Sequence, residues 1–141
     1  MKPRNESAPT IDTPPDAARI LILDDEPGIL EVLEGILSEA GYRTEAAASG
    51  PEALGRARRD PPDLIVLDVA MPEMDGLELY QKVEQRHAAL ARRFTFVTGD
   101  EMAGATREAL ERIGAPALMK PFLPAEVRRV VQQVLRQAER G

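Results

Sequence analysis

Short apolar runs separated by helix-like segments most constrain what this chain can fold into. RILIL at 19–23 and DLIVLD at 63–68 carry apolar residues at successive positions rather than alternate ones. Such runs fit strands buried on both faces, and a sheet covered on both faces is typically parallel. RFTFVTGD at 93–100 reads as a strand running into a glycine turn, and YRTEAAAS at 42–49 and APALMKPF at 115–122 hold two weaker strand candidates.

Between these runs the apolar period becomes helical. Ile29, Leu30, Val32, Leu33, Ile36 and Leu37 recur at helical spacing after Pro27, which suits a first turn, and Gly41 closes the segment. SGPEALGRARRD at 49–60 predicts a short amphipathic helix with Ala53, Leu54 and Ala57 inward, ended by Pro61-Pro62. Leu77, Leu79, Tyr80 and Val83 mark a helix from 77 to about 87, and another runs from about 103 to Ile113, stopped by Gly114. Val127, Val130, Val131, Val134 and Leu135 share one face of a last helix from Pro124 through Arg140. Five strands thus alternate with five helices. That order means βαβ units, right-handed crossovers and an α/β fold with a parallel sheet.

The 141 residues suit one domain at 19–140, preceded by a Pro-, Ser- and Thr-rich flexible arm at 1–18. No internal repeat and no second domain is seen, and the last helix reaches the chain end, so no output domain is expected. Composition removes several function classes. Without Cys there are no disulfides, thiolate metal sites or Cys nucleophiles. A net charge of −6 argues against direct DNA or RNA binding, which calls for a basic face. No apolar run approaches a membrane span, and the first residues lack the apolar core of a signal peptide, so a cytoplasmic protein is expected.

In an open parallel sheet, ligands bind at the carboxyl ends of the strands. Asp24 and Asp25 follow the first strand, Asp68 ends the third, Thr98 ends the fourth, and Lys120 follows the fifth. Taken singly, each has a bland reading: a turn former, a helix cap or a solvated charge. Together they put three carboxylates, a hydroxyl and an ammonium on one sheet edge. Carboxylates at about 4 Å repel by roughly 4 kcal/mol per pair at an effective dielectric near 20. Lys120 offsets one charge and a divalent cation would offset more. An all-oxygen donor set with room for water suits Mg²⁺, whereas zinc is improbable with no Cys and a single His, His87, inside a helix. A carboxylate beside Mg²⁺ can attack phosphorus. Metal, Lys120 and Thr98 would then neutralise the three equatorial phosphoryl oxygens. Asp68, alone after a central strand, suits the nucleophile, and the Asp24-Asp25 pair suits the metal. Glu26 lies where the first helix begins, and the helix dipole explains it without a metal role.

The motifs LILDDEP, DLIVLDVAMPEMDG, FVTGD and LMKPF, in that order, resemble the receiver domains of bacterial two-component response regulators. The resemblance runs from residue 19 to about 138. It implies a flavodoxin-like, doubly wound (βα)₅ fold with strand order 2-1-3-4-5. It makes Asp68 the acceptor of a phosphoryl group, Asp24 and Asp25 ligands of Mg²⁺, and Ala70 the donor of a backbone carbonyl to the metal. It makes Thr98 the switch hydroxyl and Lys120 the phosphate-binding lysine, with a cis bond before Pro121. The implied role is a single-domain signalling phosphoacceptor, not an enzyme, that takes part in its own phosphorylation and dephosphorylation. A looser likeness, in TGD and KPF, to receivers working with hybrid kinases points to phosphorelay. The implied partners are a histidine kinase or a histidine phosphotransfer protein, and a downstream protein target on the face of the fourth helix, fifth strand and last helix. A homodimer is a further candidate assembly, and whether phosphorylation drives it is left open.

One departure stands out. The family's usual Tyr or Phe three residues before the lysine is Ala117 here. Output is therefore expected to rely on the loop after Thr98 and on the last two helices. Arg128, Arg129, Arg136 and Arg140 make the last helix basic, which reads as a solvated face balanced by nearby Glu or, more sharply, as a docking face for an acidic partner. Two other readings compete. A receiver-like module that is never phosphorylated conflicts with the complete residue set. A Mg²⁺ phosphohydrolase with its Asp nucleophile after the first strand expects a second acid two residues on, which adjacent Asp24 and Asp25 fit poorly.

Overall fold

A computed structural model describes residues 17–47, 49–69, 76–86, 88–99 and 104–140. Among them are five strands: β1 (Arg19–Leu23), β2 (Arg43–Ala47), β3 (Leu64–Asp68), β4 (Phe94–Thr98) and β5 (Ala117–Met119). Six helices accompany them: α1 (Pro27–Glu39), α2 (Gly50–Arg59), α3 (Gly76–Arg86), α4 (Ala88–Ala91), α5 (Gly104–Ile113) and α6 (Pro124–Arg140). Residues 1–16 of the expected arm at 1–18, together with His87 and Ala70, lie outside the described residues.

The strands form one parallel sheet in the order β2-β1-β3-β4-β5. This is the expected doubly wound α/β architecture, with helices on both faces. Side chains alternate across a strand, so each strand feeds two cores. Leu21, Leu23, Ile65, Leu67, Phe94 and Phe96 face one side, with Leu79, Tyr80, Val83 and Leu110 packed on them. Ile20, Ile22, Leu64, Val66, Val97 and Leu118 face the other, covered by Leu33 and Leu37 of α1 and by Val127, Val130, Val131 and Val134 of α6. The scarce aromatic rings are concentrated on the first side. Tyr80 meets Phe94 edge-on at 5.2 Å and Phe96 at 5.8 Å.

The helix ends follow local chemistry. Pro27 occupies the first turn of α1, and Gly41 takes φ 99° just after its end, a conformation that favours glycine. Ser49 caps α2 by accepting the Glu52 amide at 3.3 Å. Glu126 reaches back to accept the Leu123 amide at 2.7 Å, fixing the start of α6.

Two details go beyond the sequence reading. Val32, one of the apolar residues at helical spacing, is 50% exposed. The buried stripe of α1 is centred on Leu33 and Leu37, which leaves Val32 about 120° from its centre around the helix. The four-residue helix Ala88–Ala91 is additional. Its Leu90 and Ala91 are buried against the α3 side of the core.

Candidate functional site

Strand register assembles the site. Leu23 of β1 is level with Leu67 of β3, so the next residues, Asp24 and Asp68, fall side by side. Asp68 is level with Val97, which puts Thr98 one step further along β4. Thr98 is level with Met119, and Lys120 comes next. Residues scattered over nearly a hundred positions therefore meet at one sheet edge. Asp24, Asp68 and Thr98 are buried there, while Asp25 is exposed.

The three carboxylates of Asp24, Asp25 and Asp68 each bring one oxygen within 4.8 Å of the others. Asp24 Oδ1 accepts the Glu26 amide at 2.9 Å, whereas buried Asp24 Oδ2 has no hydrogen-bond partner among the described residues. A buried carboxylate oxygen without a donor is costly. Burial raises the Asp24 carboxyl from 3.8 to about 6; the Glu26 amide opposes this, and the neighbouring Asp68 charge adds to it. Mg²⁺ holds oxygens at about 2.0–2.1 Å, so its ligands lie within about 4.2 Å of one another. Small side-chain movements would bring this set to that spacing. The orphaned Asp24 oxygen, the all-oxygen donors and the exposed Asp25, open to water, all fit such an ion.

Lys120 supplies the positive charge. Its Nζ donates to Asp68 Oδ2 at 3.2 Å and to Glu26 Oε1 at 3.0 Å. Burial alone would lower the Lys120 pKa, but the Glu26 and Asp68 carboxylates outweigh it and the net shift is upward. The Lys120–Pro121 peptide is cis, as the resemblance implied. The Lys120 amide also donates to the Thr98 carbonyl at 2.9 Å, tying the two strand ends together. The Thr98 hydroxyl donates to the Leu118 carbonyl at 3.4 Å. Ala117 and Met119 are exposed on the edge strand, on the same side of the sheet as Phe96 and Thr98.

The structure thus brings together Asp24, Asp25, Asp68 and Lys120, with Thr98 on the adjoining strand. Sequence reasoning missed the part Glu26 plays. Its side chain makes no cap bond to α1 and instead reaches Lys120, 94 positions on. The available signal was its place on the same loop as the acidic pair, at the same sheet edge. Arg128, Arg129 and Arg136 are exposed on α6.

The family model of the response regulator receiver domain matches residues 20–132. The alkaline phosphatase synthesis transcriptional regulatory protein PhoP of Bacillus subtilis is 35% identical over 121 residues, which cover 86% of this chain and 50% of PhoP. The response regulator PleD of Caulobacter vibrioides is 35% identical over 106 residues, covering 75% of this chain and 23% of PleD. This chain spans about half the length of PhoP and less of PleD. Among solved structures, a CheY-like receiver domain protein from Methanospirillum hungatei superposes with a TM-score of 0.80 at 28% identity, covering 89% of this chain and 98% of that one. With the fold, the strand-end residues and the matched span in agreement, the chain belongs to the response regulator receiver domains, the signalling modules of two-component systems.

Proposed function

We propose that Asp68 is the phosphoacceptor and that Asp24 and Asp25, with Asp68, hold Mg²⁺. The observation that carries this reading is the convergence of Asp24, Asp25, Asp68 and the Lys120 ammonium at one sheet edge, with a buried Asp24 oxygen that has no donor among the described residues. The donor is a phosphohistidine of a histidine kinase or a histidine phosphotransfer protein. An Asp68 oxygen bonds to phosphorus as the phosphorus–nitrogen bond breaks, and the imidazole leaves with the electron pair. Mg²⁺, when bound, would supply charge neutralisation for the phosphoryl oxygens.

The chain's own residues do the rest. Asp68 is 3% exposed and sits at the end of a central strand, so its carboxylate is held in place by the sheet. Lys120 lies within reach of any phosphoryl oxygen on Asp68 and offsets its charge. Thr98, one step along β4, would exchange its long bond to the Leu118 carbonyl for a phosphoryl oxygen. That exchange would loosen the edge strand and pass the signal to the face of α5, β5 and α6. Since Ala117 has no ring to swing, the output motion in this reading is carried by β5 and its flanking helices. A downstream protein docks on that face, or a second copy does so. The protein works in the cytoplasm, where such donors are found, and Ala70 would lend its backbone carbonyl to the metal.

Amide chemical-shift mapping with the phosphoryl mimic beryllofluoride and Mg²⁺ tests the reading. Shifts are expected at the carboxyl ends of β1, β3 and β4 and along β5, and they should vanish in Asp68→Asn. Equal shifts in the variant would overturn it.

A further inference from the structure

We infer that Glu26 is a positioning residue of the phosphoryl site, whose carboxylate competes with an incoming phosphoryl group for the Lys120 ammonium. The inference rests on the reading of Asp68 as phosphoacceptor. Glu26 occupies the N-cap position of α1 in extended conformation, where a carboxylate could bond to a helix amide, yet it makes no such bond. Its Oε1 lies instead 3.0 Å from Lys120 Nζ. The same ammonium lies 3.2 Å from Asp68 Oδ2. Lys120 has three N–H donors in all, and two of them are directed at carboxylates.

The two acceptors are unequal. Asp68 is 3% exposed and held by the sheet, whereas Glu26 is 61% exposed and can return to water at little cost. A phosphoryl group on Asp68 brings several anionic oxygens to the buried side of Lys120. Glu26 draws the ammonium toward solvent and adds a negative charge beside the approaching donor. Both effects disfavour donor binding. Solvent-exposed ion pairs are weak, so the competition amounts to a few-fold effect rather than an on-off switch. The Glu26 backbone amide holds Asp24 Oδ1 independently of the side chain, so substitutions at this position isolate the carboxylate's role.

The test is the rate of phosphorylation of the full chain by acetyl phosphate at saturating Mg²⁺, followed by intact mass over a range of donor concentrations. The Asp68 oxygen bonds to phosphorus while the phosphorus–oxygen bond to acetate breaks, and acetate leaves with the electron pair. Glu26→Ala should lower the half-saturating donor concentration about two- to five-fold, with the maximal rate changed by less than about two-fold. Glu26→Gln, which keeps an acceptor without the charge, should fall between Glu26→Ala and wild type. A merely structural role would change melting temperature or maximal rate and leave half-saturation where it was, which would overturn the inference. So would a raised half-saturating concentration in either variant. Wild-type protein that gains no phosphoryl mass would overturn the phosphoacceptor reading as well. Wild-type phosphorylation with variants of unchanged half-saturation would overturn this inference alone.

Discussion

The Thr98 hydroxyl donates to the Leu118 backbone carbonyl at 3.4 Å, so the residue beside the acidic site is tied to the edge strand of the sheet. A hydrogen bond this long is weak. Thr98→Val keeps shape and burial and should change unfolding free energy by less than about 1 kcal/mol. Asp68 should still be phosphorylated. The phosphorylation-dependent change in amide exchange along β5 should be largely lost, because no hydroxyl remains to leave Leu118 for the phosphoryl group. Hydrogen exchange of wild type and variant, with and without beryllofluoride, makes the comparison. A full response of β5 in the variant would remove Thr98 from the signal path.

Asp24 should make stability of the metal-free protein fall as pH rises. Burial first, and then the Asp68 charge, raise its folded pKa from 3.8 to about 6 against the opposing Glu26 amide. Between those values the folded state holds a proton that the unfolded state has released. Folding is therefore favoured by this group below about pH 4, and the advantage is lost as pH climbs through about 6, by roughly 2–3 kcal/mol at most. Asp24→Asn keeps an oxygen for the Glu26 amide and cannot ionise. The wild-type minus variant difference from urea unfolding, taken at several pH values, should follow this slope. Added Mg²⁺ at neutral pH should recover stability in wild type and far less in the variant. A pH-independent difference would contradict the assignment.

Thr95 lies fully buried in β4 with a hydroxyl that has no hydrogen-bond partner among the described residues. Removing an unsatisfied buried hydroxyl relieves its desolvation cost, and valine suits a strand. Thr95→Val should stabilise the protein by about 1 kcal/mol, read as a higher urea midpoint with an unchanged slope. A loss of more than about 1 kcal/mol would show that the hydroxyl is satisfied after all.

The strands were legible because Ile20–Leu23 and Leu64–Leu67 leave no polar position, which suits a sheet covered on both faces. Asp24, Asp68, Thr98 and Lys120 were legible as a set because each directly ends or follows a strand, and parallel register does the rest. The Glu26–Lys120 pair was not. Ninety-four positions separate the two residues, and a carboxylate at a helix start has a sufficient local explanation in the dipole. Val32 stands exposed because helical periodicity alone defines an apolar arc wider than the stripe that packs. The AALA helix at Ala88–Ala91 carries no start or stop signal of its own. Whether phosphorylation passes to α5 and α6 through β5 is a property of motion, which the residue pattern does not encode.

Intact-mass analysis after incubation with acetyl phosphate and Mg²⁺ tests the central claim most directly. Wild-type protein should gain the mass of one phosphoryl group, lose it on removal of donor, and gain none when Mg²⁺ is chelated. Asp68→Asn should gain none under any of these conditions. An equal gain by Asp68→Asn, or no gain by a folded wild-type protein, would contradict the account.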